Sequence, residues 1–256
     1  MLLEIEQLTL RFGGLVSLNA VDLAVGVQEL VALIGPNGAG KTCVLNCISG
    51  LYRPSAGRIR FQGRDITHLR PHQIAQLGIG RTFQHVELFR HLSVLQNVLL
   101  GRHLHIRSNP LLDGLFWGPA AREEIAQRQA IAPLIQLLQL DAVRHRPVSE
   151  LPYGLQKLVG VARALAMEPK LLLLDEPSAG MNRPEKEHLA RVLLRIKNEL
   201  RVPMLWVEHD MELVADLADR VQVLHYGQMI AGGSPDEVLR HPEVVRVYLG
   251  RRQPSA

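Results

Sequence analysis

The chain has 256 residues, of which 47% are hydrophobic and 21% are charged, and its formal net charge is +4. So apolar a chain can bury a sizeable core, which excludes an intrinsically disordered protein. The mild positive charge suits an anionic partner, whether a nucleotide, a membrane surface or a nucleic acid. The sequence lacks any run of about 18 apolar residues, so we expect no membrane-spanning helix.

The first residues and the cysteines both favour a reducing, intracellular compartment. Glu4 and Glu6 stand where a secretory signal would need a basic segment and an apolar core. The only cysteines, Cys43 and Cys47, are too few for a disulfide framework. A metal pair would need further ligands nearby, so we expect two small side chains on one helix.

Short, continuous apolar runs predict strands that are buried on both faces of a parallel sheet. They span residues 30–34, 170–175, 203–208 and 220–225. Less regular extended patterns predict further strands at 2–12, 16–27 and 57–61. Helices are predicted at 42–49, 184–200 and 235–240, the last with Ser234 as its N-cap. Strands that alternate with helices in this way indicate right-handed crossovers and a mainly parallel sheet.

The middle of the chain has a different, helical pattern. It runs from about residue 93 to 140 and includes a helix over 121–140, which Pro133 is expected to interrupt. We therefore predict one domain with an inserted helical lobe. Its α/β core comprises residues 1–90 and 160–235, the lobe 91–159, and a C-terminal helix and tail 236–256.

A glycine-rich loop follows the first buried strand and opens a helix. Residues 35–42 fit the pattern G-x-x-x-x-G-K-[ST] at every fixed position. In such a loop, backbone amides and a helix N-terminus surround phosphate oxygens, a lysine reaches the β- and γ-phosphates, and a hydroxyl binds Mg²⁺. The predicted ATP contacts are Gly35, Pro36, Asn37, Gly38, Ala39, Gly40, Lys41, Thr42 and Cys43.

Two adjacent carboxylates end the apolar run 170–175. Asp175 is the last residue of this predicted strand, and Glu176 follows it. The carboxyl ends of parallel strands face the ligand crevice of an open α/β sheet, so Asp175 is placed to bind Mg²⁺. Glu176 is placed to polarise an attacking water as general base.

Together these motifs resemble the ABC-type ATPase family, and the resemblance covers nearly the whole chain. It implies a P-loop NTPase core, an antiparallel β subdomain and an inserted helical lobe, with ATP and Mg²⁺ as ligands. It also implies that Gln84 contacts Mg²⁺ and takes part in catalysis, and that His209 senses the γ-phosphate and takes part in catalysis. Phe12 is implied to stack on the adenine ring. Residues 178–182 match the loop that acts across a dimer of such subunits.

The family's signature loop, usually Leu-Ser-Gly-Gly-Gln, is altered in this chain. It consists of Leu151, Pro152, Tyr153, Gly154, Leu155 and Gln156. In such dimers the loop closes over the γ-phosphate of the partner subunit. Pro152 supplies neither a hydroxyl nor an N–H, so we expect one or two phosphate contacts to be lost. We expect the loop to keep two features of the usual signature, the glycine at Gly154 and the start of a helix at Gln156.

Several stretches resemble the larger ATPase subunit of branched-chain amino acid importers. They are residues 78–86, 88–98, 176–182 and 247–250. The resemblance implies membrane-spanning permease subunits as partners, a second ABC ATPase subunit that is a different chain or another copy, and indirect action of a solute-binding protein. It implies a peripheral position at the cytoplasmic face of the plasma membrane and no nucleic acid partner.

Three other functions use the same phosphate loop. A soluble ABC ATPase acting on DNA or ribosomes usually carries tandem cassettes, coiled coils or basic arms, which this sequence lacks. A small-molecule phosphotransferase would lack the ordered glutamine, signature and histidine motifs. A nucleotide sensor that binds ATP without useful hydrolysis is compatible with the altered signature loop.

Overall fold

The computed structural model describes residues 1–82, 87–105 and 119–249. Gln84, and with it one predicted catalytic and metal contact, lies outside the described residues. The strands form two sheets. Their bounds are β1 (Leu3–Phe12), β2 (Leu15–Val25), β3 (Leu30–Ile34), β4 (Ala56–Phe61), β5 (Arg64–Asp65), β6 (Ile79–Arg81), β7 (Leu171–Asp175), β8 (Met204–Val207), β9 (Arg220–His225) and β10 (Gln228–Gly233).

Helices connect the strands and form the lobe between β6 and β7. Their bounds are α1 (Lys41–Ile48), α2 (Pro71–Gln76), α3 (Val94–Leu100), α4 (Pro119–Leu137), α5 (Tyr153–Leu165), α6 (Arg183–Arg195), α7 (Met211–Leu217), α8 (Pro235–Leu239) and α9 (Pro242–Leu249). Helix α6 continues as a π-helical turn to Leu200. In the described part of the chain, no helix is both long enough and apolar enough to cross a membrane.

The larger sheet is mainly parallel and carries the site. Its strand order is β10-β9-β3-β8-β7-β6, and only β10 pairs in the antiparallel sense. The carboxyl ends of β3, β7 and β8 therefore meet at one edge of the sheet. The smaller sheet is antiparallel, in the order β2-β1-β4-β5. This mixed α/β architecture confirms the predicted fold class.

Alternate residues of the parallel strands pack on opposite faces of the sheet, as the two-residue repeat of a strand requires. One face, which includes Leu172 and Leu174, packs against the helical lobe in a single apolar cluster. The other face, which includes Leu171 and Leu173, packs against α1 and the antiparallel sheet. The apolar packing of the lobe is thus continuous with that of the core.

Two of the helix predictions are wrong. Pro133 does not interrupt its helix, since α4 runs through it to Leu137. Pro133 and Gln129, the residue whose carbonyl loses its bond, are both exposed, so water can solvate that carbonyl. The signature helix α5 begins at Tyr153 rather than at Gln156. Pro152 has extended backbone angles at the N-cap, where the missing N–H costs the helix nothing.

Candidate functional site

The phosphate loop connects β3 to α1, and its shape requires glycine at two positions. A Cβ on Gly35 would lie 2.1 Å from the carbonyl oxygen of Leu224 on β9. Gly40, the N-cap of α1, has a left-handed φ of 105°, and a Cβ there would lie 2.9 Å from the Ser17 carbonyl oxygen. The fixed glycines Gly35 and Gly40 are therefore positions where another segment of the same backbone approaches the loop closely.

Gly35→Ala is expected to destabilise the protein by about 1–3 kcal/mol, because the Leu224 carbonyl is backbone and cannot move aside. ATP affinity should fall as well, because the loop must shift. Urea unfolding and nucleotide titration measure the two effects. Gly160→Ala is the matched control, since a Cβ at that helical position meets nothing within 4 Å. Equal stability of the two variants would contradict this account of the loop.

The predicted phosphate contacts from Asn37 to Cys43 line a cavity of about 440 Å³, and Gly35 and Pro36 line an adjoining one. Lys41 is buried, and its Nζ donates hydrogen bonds to the carbonyl oxygens of Gly35 at 2.7 Å and Pro36 at 3.1 Å. Burial lowers the pKa of Lys41, and nearby carboxylates oppose that change. The lining residues are Ser17, Asn37, Gly38, Ala39, Gly40, Lys41, Thr42, Cys43 and Glu176.

Asp175 ends β7 in a buried ion pair that the sequence did not predict. Its Oδ2 accepts a hydrogen bond from Arg81 Nη2 at 3.0 Å. Arg81 Nη1 also donates to Asn46 Oδ1 and Ser49 Oγ, each at 2.7 Å, so one guanidinium joins β6, β7 and the helix of the phosphate loop. Burial raises the pKa of Asp175, and Arg81 opposes that rise. The other oxygen, Oδ1, is buried without a hydrogen bond to any described residue.

Glu176 has a strained backbone that two contacts hold in place. Its φ is 46°, in the left-handed region that non-glycine residues seldom adopt. Its amide donates to the Val207 carbonyl at 3.0 Å, and its own carbonyl accepts from Lys157 Nζ at 3.1 Å. Lys157 is a buried residue of the signature helix α5. Strain of this kind persists only where surrounding contacts enforce it, and it is concentrated at functional sites.

His209 lies beside Glu176, beyond the end of β8. Its side chain is 51% exposed, and its Nδ1 is 3.4 Å from Oε1 of the fully buried Glu208. Glu208 also accepts hydrogen bonds from the His209 amide at 2.8 Å and from Trp206 Nε1 at 3.2 Å. The buried carboxylate thus fixes the turn that presents His209.

Phe12, the predicted adenine contact, ends β1 and is 46% exposed. Its ring meets the ring of Tyr52 nearly edge to face, with centroids 5.2 Å apart and planes at 80°. Such a contact is favourable and holds Phe12 in one orientation. The role of Phe12 at adenine stays a prediction.

Two hydrogen bonds and one packing contact hold the signature loop against its own chain. The Gly154 amide donates to Glu185 Oε1 at 3.2 Å, and Gln156 Nε2 donates to the Leu151 carbonyl at 2.8 Å. A Cβ on Gly180 would lie 3.0 Å from the ring of Tyr153, so that ring covers the 178–182 loop. Glu185 on α6 therefore accepts a hydrogen bond from the Gly154 amide within the same chain.

The structure thus brings most of the predicted site residues to one edge of the parallel sheet. The phosphate loop, Asp175, Glu176 and His209 lie there, and the signature loop lies apart at the start of α5. Sequence reasoning missed Arg81, Lys157 and Glu208, although Arg81 lies in the quoted stretch 78–86 and the other two directly adjoin Gln156 and His209. Burial of a charged residue marks them, and that signal appears only in three dimensions.

A phosphate loop after one parallel strand and an acidic pair at the end of another define a P-loop nucleotide-binding domain. The chain matches the family "ABC transporter" over residues 18–179, so it belongs to the ATP-binding proteins of the ABC transporters. Its last part, residues 228–253, matches the family "Branched-chain amino acid ATP-binding cassette transporter".

Individual relatives agree with this assignment. The high-affinity branched-chain amino acid transport ATP-binding protein BraF of Pseudomonas aeruginosa is 40% identical over 97% of this chain and 98% of its own length. The protein of the same description, LivG, of Escherichia coli has the same identity and coverage. Among solved structures, MJ1267 in its ADP conformation, an ATP-binding cassette of an ABC transporter, has a TM-score of 0.84 and 30% identity over 97% of this chain and 98% of its own.

ATP binding is therefore established for this chain at the level of its family. ABC cassettes hydrolyse ATP to power transport, and homologous subunits dimerise and work with membrane permease subunits.

Proposed function

We propose that this chain is an ATP-hydrolysing subunit of an importer for branched-chain amino acids or related small polar solutes. The observation that carries the proposal is the convergence of the phosphate loop, Glu176 and His209 around two adjoining cavities. The identity of 40% to BraF and LivG over nearly the full length supports the choice of solute. The transported solute itself does not touch this subunit.

In the proposed mechanism, the amides of the phosphate loop and Lys41 bind the phosphates of ATP and stabilise the charge that develops on them. Glu176 accepts a proton from the attacking water as general base. His209 senses the γ-phosphate, and Phe12 stacks on adenine. Gln84 is the proposed contact to Mg²⁺. When ATP binds, the Lys41 ammonium group exchanges its hydrogen bonds to the Gly35 and Pro36 carbonyls for bonds to phosphate oxygens. Charged phosphate oxygens are the stronger acceptors.

The residues fit Mg²⁺, because this ion prefers a few carboxylate and hydroxyl oxygens and keeps several waters. Thr42 opens to the phosphate cavity, and Asp175 Oδ1 is a buried oxygen without a described partner. Thr42, Asp175 and Gln84 would hold the ion directly or through water. When bound, Mg²⁺ supplies positive charge against the β- and γ-phosphate oxygens.

The proposed partners are membrane-spanning permease subunits and a second ABC ATPase subunit, with a solute-binding protein acting indirectly. ATP closes the ATPase dimer, hydrolysis opens it, and the helical lobe passes this motion to the permease. The proposed location is the cytoplasmic face of the plasma membrane, with no nucleic acid partner.

The altered signature loop predicts a weak site on the partner subunit. Pro152→Ser combined with Leu155→Gln should raise ATP turnover roughly tenfold, because one restored charge-assisted hydrogen bond contributes about 1.5–3 kcal/mol. Steady-state phosphate release measures the effect. The same pair of substitutions with Glu176→Gln is the control and should show no gain. An unchanged rate in the otherwise native chain would refute the weak-site prediction.

Copurification from native membranes tests the proposed function. The full chain is tagged, the membranes are solubilised gently, and mass spectrometry identifies the bound proteins. Two multi-span proteins and a second, different ATPase are the expected result. Recovery with ribosomal or DNA-associated proteins and without multi-span partners would instead favour a soluble ABC ATPase.

A further inference from the structure

We propose that Lys157, on the signature helix α5, is a positioning residue for the general base Glu176. Its ammonium group holds the backbone of Glu176 and links that base to the signature loop of the same chain. The inference rests on the proposed function, because it concerns the ATP hydrolysis assigned there.

A hydrogen bond from a buried ammonium group to the backbone of Glu176 is the first observation. Lys157 is 6% exposed, and its Nζ donates to the Glu176 carbonyl oxygen at 3.1 Å. The same oxygen accepts a hydrogen bond from the Ala179 amide at 3.2 Å, within the turn that follows β7. A charged donor makes a stronger hydrogen bond than a neutral amide does. Lys157 is therefore the stronger of these two restraints on the carbonyl.

The strained backbone of Glu176 is the second observation, because it requires such a restraint. Its φ of 46° lies in the left-handed region, where non-glycine residues remain only if surrounding contacts enforce it. The backbone angles set the direction in which the side chain leaves the chain. They therefore determine whether the carboxylate reaches the two cavities that Glu176 lines. A misplacement of about 1 Å at a reacting group can cost about 10²-fold in rate.

The charges around Lys157 are the third observation. Burial lowers the pKa of Lys157, and the carboxylates of Glu208, Glu176 and Asp175 oppose that change. The same three carboxylates act on Lys41. In the proposed mechanism Lys41 turns to the phosphates when ATP binds. Lys157 then remains beside the carboxylates as a positive charge that the helical lobe supplies.

Contact with the signature loop is the fourth observation. Lys157 lies one helical turn after Tyr153, and its Nζ is 5.6 Å from the centre of the Tyr153 ring. A cation over an aromatic ring at such a distance is attracted to it. The same ring covers Gly180 in the 178–182 loop. A shift of the signature loop, such as closure onto the nucleotide of a partner subunit, therefore moves Lys157 and with it the backbone of Glu176.

Lys157→Met in the full chain with its copurified partners tests the inference, because it removes the ammonium group and keeps a long side chain. The kcat for ATP should fall about tenfold, as expected for one lost charge-assisted hydrogen bond, while ATP affinity stays within error. The melting temperature should stay near the native value, because the Glu176 carbonyl keeps its bond to the Ala179 amide. Lys157→Arg keeps a charged donor, so its kcat should exceed that of Lys157→Met.

Lys197→Met is the matched control, since it removes another bonded and largely buried lysine. The Lys197 side chain is 20% exposed, and its Nζ pairs with Asp219 Oδ1 at 2.6 Å. Asp219 precedes β9, so this pair lies at the edge of the parallel sheet opposite to the site. Lys197→Met should leave kcat unchanged.

Three outcomes would overturn the role of Lys157. One is an unchanged kcat in Lys157→Met, and another is a kcat for Lys157→Arg no higher than that for Lys157→Met. The third is a fall in kcat with equal losses of ATP affinity and melting temperature, which indicates packing alone. Failure of the proposed function looks different, since the native complex would then release phosphate no faster than the Glu176→Gln complex.

Discussion

Glu176→Gln is expected to lower ATP turnover by about 10²-fold or more while ATP still binds, because a positioned general base contributes about 10²–10⁴-fold to rate. Glutamine has the shape of glutamate and preserves the backbone contacts to Val207 and Lys157, which involve only main-chain atoms of residue 176. It cannot accept the proton of the attacking water. Phosphate release measures turnover, and nucleotide titration measures affinity.

The matched control is Glu187→Gln, the same chemical change on the exposed side of α6. Glu187 is 58% exposed and pairs only with Arg183, at 3.4 Å among the contacts described. Glu187→Gln should leave turnover unchanged, since an exposed ion pair contributes little to stability. If Glu176→Gln retained near-native turnover, Glu176 would not be the general base and the assignment of this site would be wrong.

Arg81→Met is expected to destabilise the protein by about 3–5 kcal/mol, because it leaves the buried carboxylate of Asp175 without its counter-charge. For a chain of this size the melting temperature should fall by roughly 6–20 °C. The loss should also loosen the link between β7 and α1, since Arg81 bonds Asn46 and Ser49 as well. Urea unfolding and thermal melting measure the effect.

Two further variants sharpen the test of the buried pair. Adding Asp175→Asn to Arg81→Met removes the uncompensated charge and should recover much of the lost stability, which a double-mutant cycle quantifies. Arg60→Met breaks an exposed pair with Glu6 at 2.9 Å and should cost less than about 1 kcal/mol. Similar losses for Arg60→Met and Arg81→Met would contradict the importance of burial at Asp175.

The parallel sheet could be predicted because its central strands are continuous apolar runs. Strands β3 and β9 match the predicted bounds, and β7 begins one residue later than predicted. Strand β10 was missed, because Gln228–Gly233 contains two glycines and has no alternation of polar and apolar residues, and it pairs only at the edge of the sheet. Strand β6 was missed because three residues are too few for a pattern.

The residues of the site likewise fall into two groups, those that a local motif identifies and those that only the fold brings together. The phosphate loop and the pair Asp175 and Glu176 are local in sequence, so a motif finds them. The Arg81–Asp175 pair joins residues 94 positions apart, and Tyr248 reaches the cavity from the far end of the chain. Contacts of this kind depend on how the elements pack, which periodicity and spacing do not encode.

Uptake by the purified complex in proteoliposomes tests the central claim most directly. The tagged chain and its copurified membrane partners are reconstituted with the solute-binding protein, and radiolabelled leucine is added with ATP. The account predicts leucine uptake that requires ATP and is lost in the complex carrying Glu176→Gln. Uptake that survives Glu176→Gln, or a native complex that hydrolyses ATP without importing leucine or any related small solute, would contradict it.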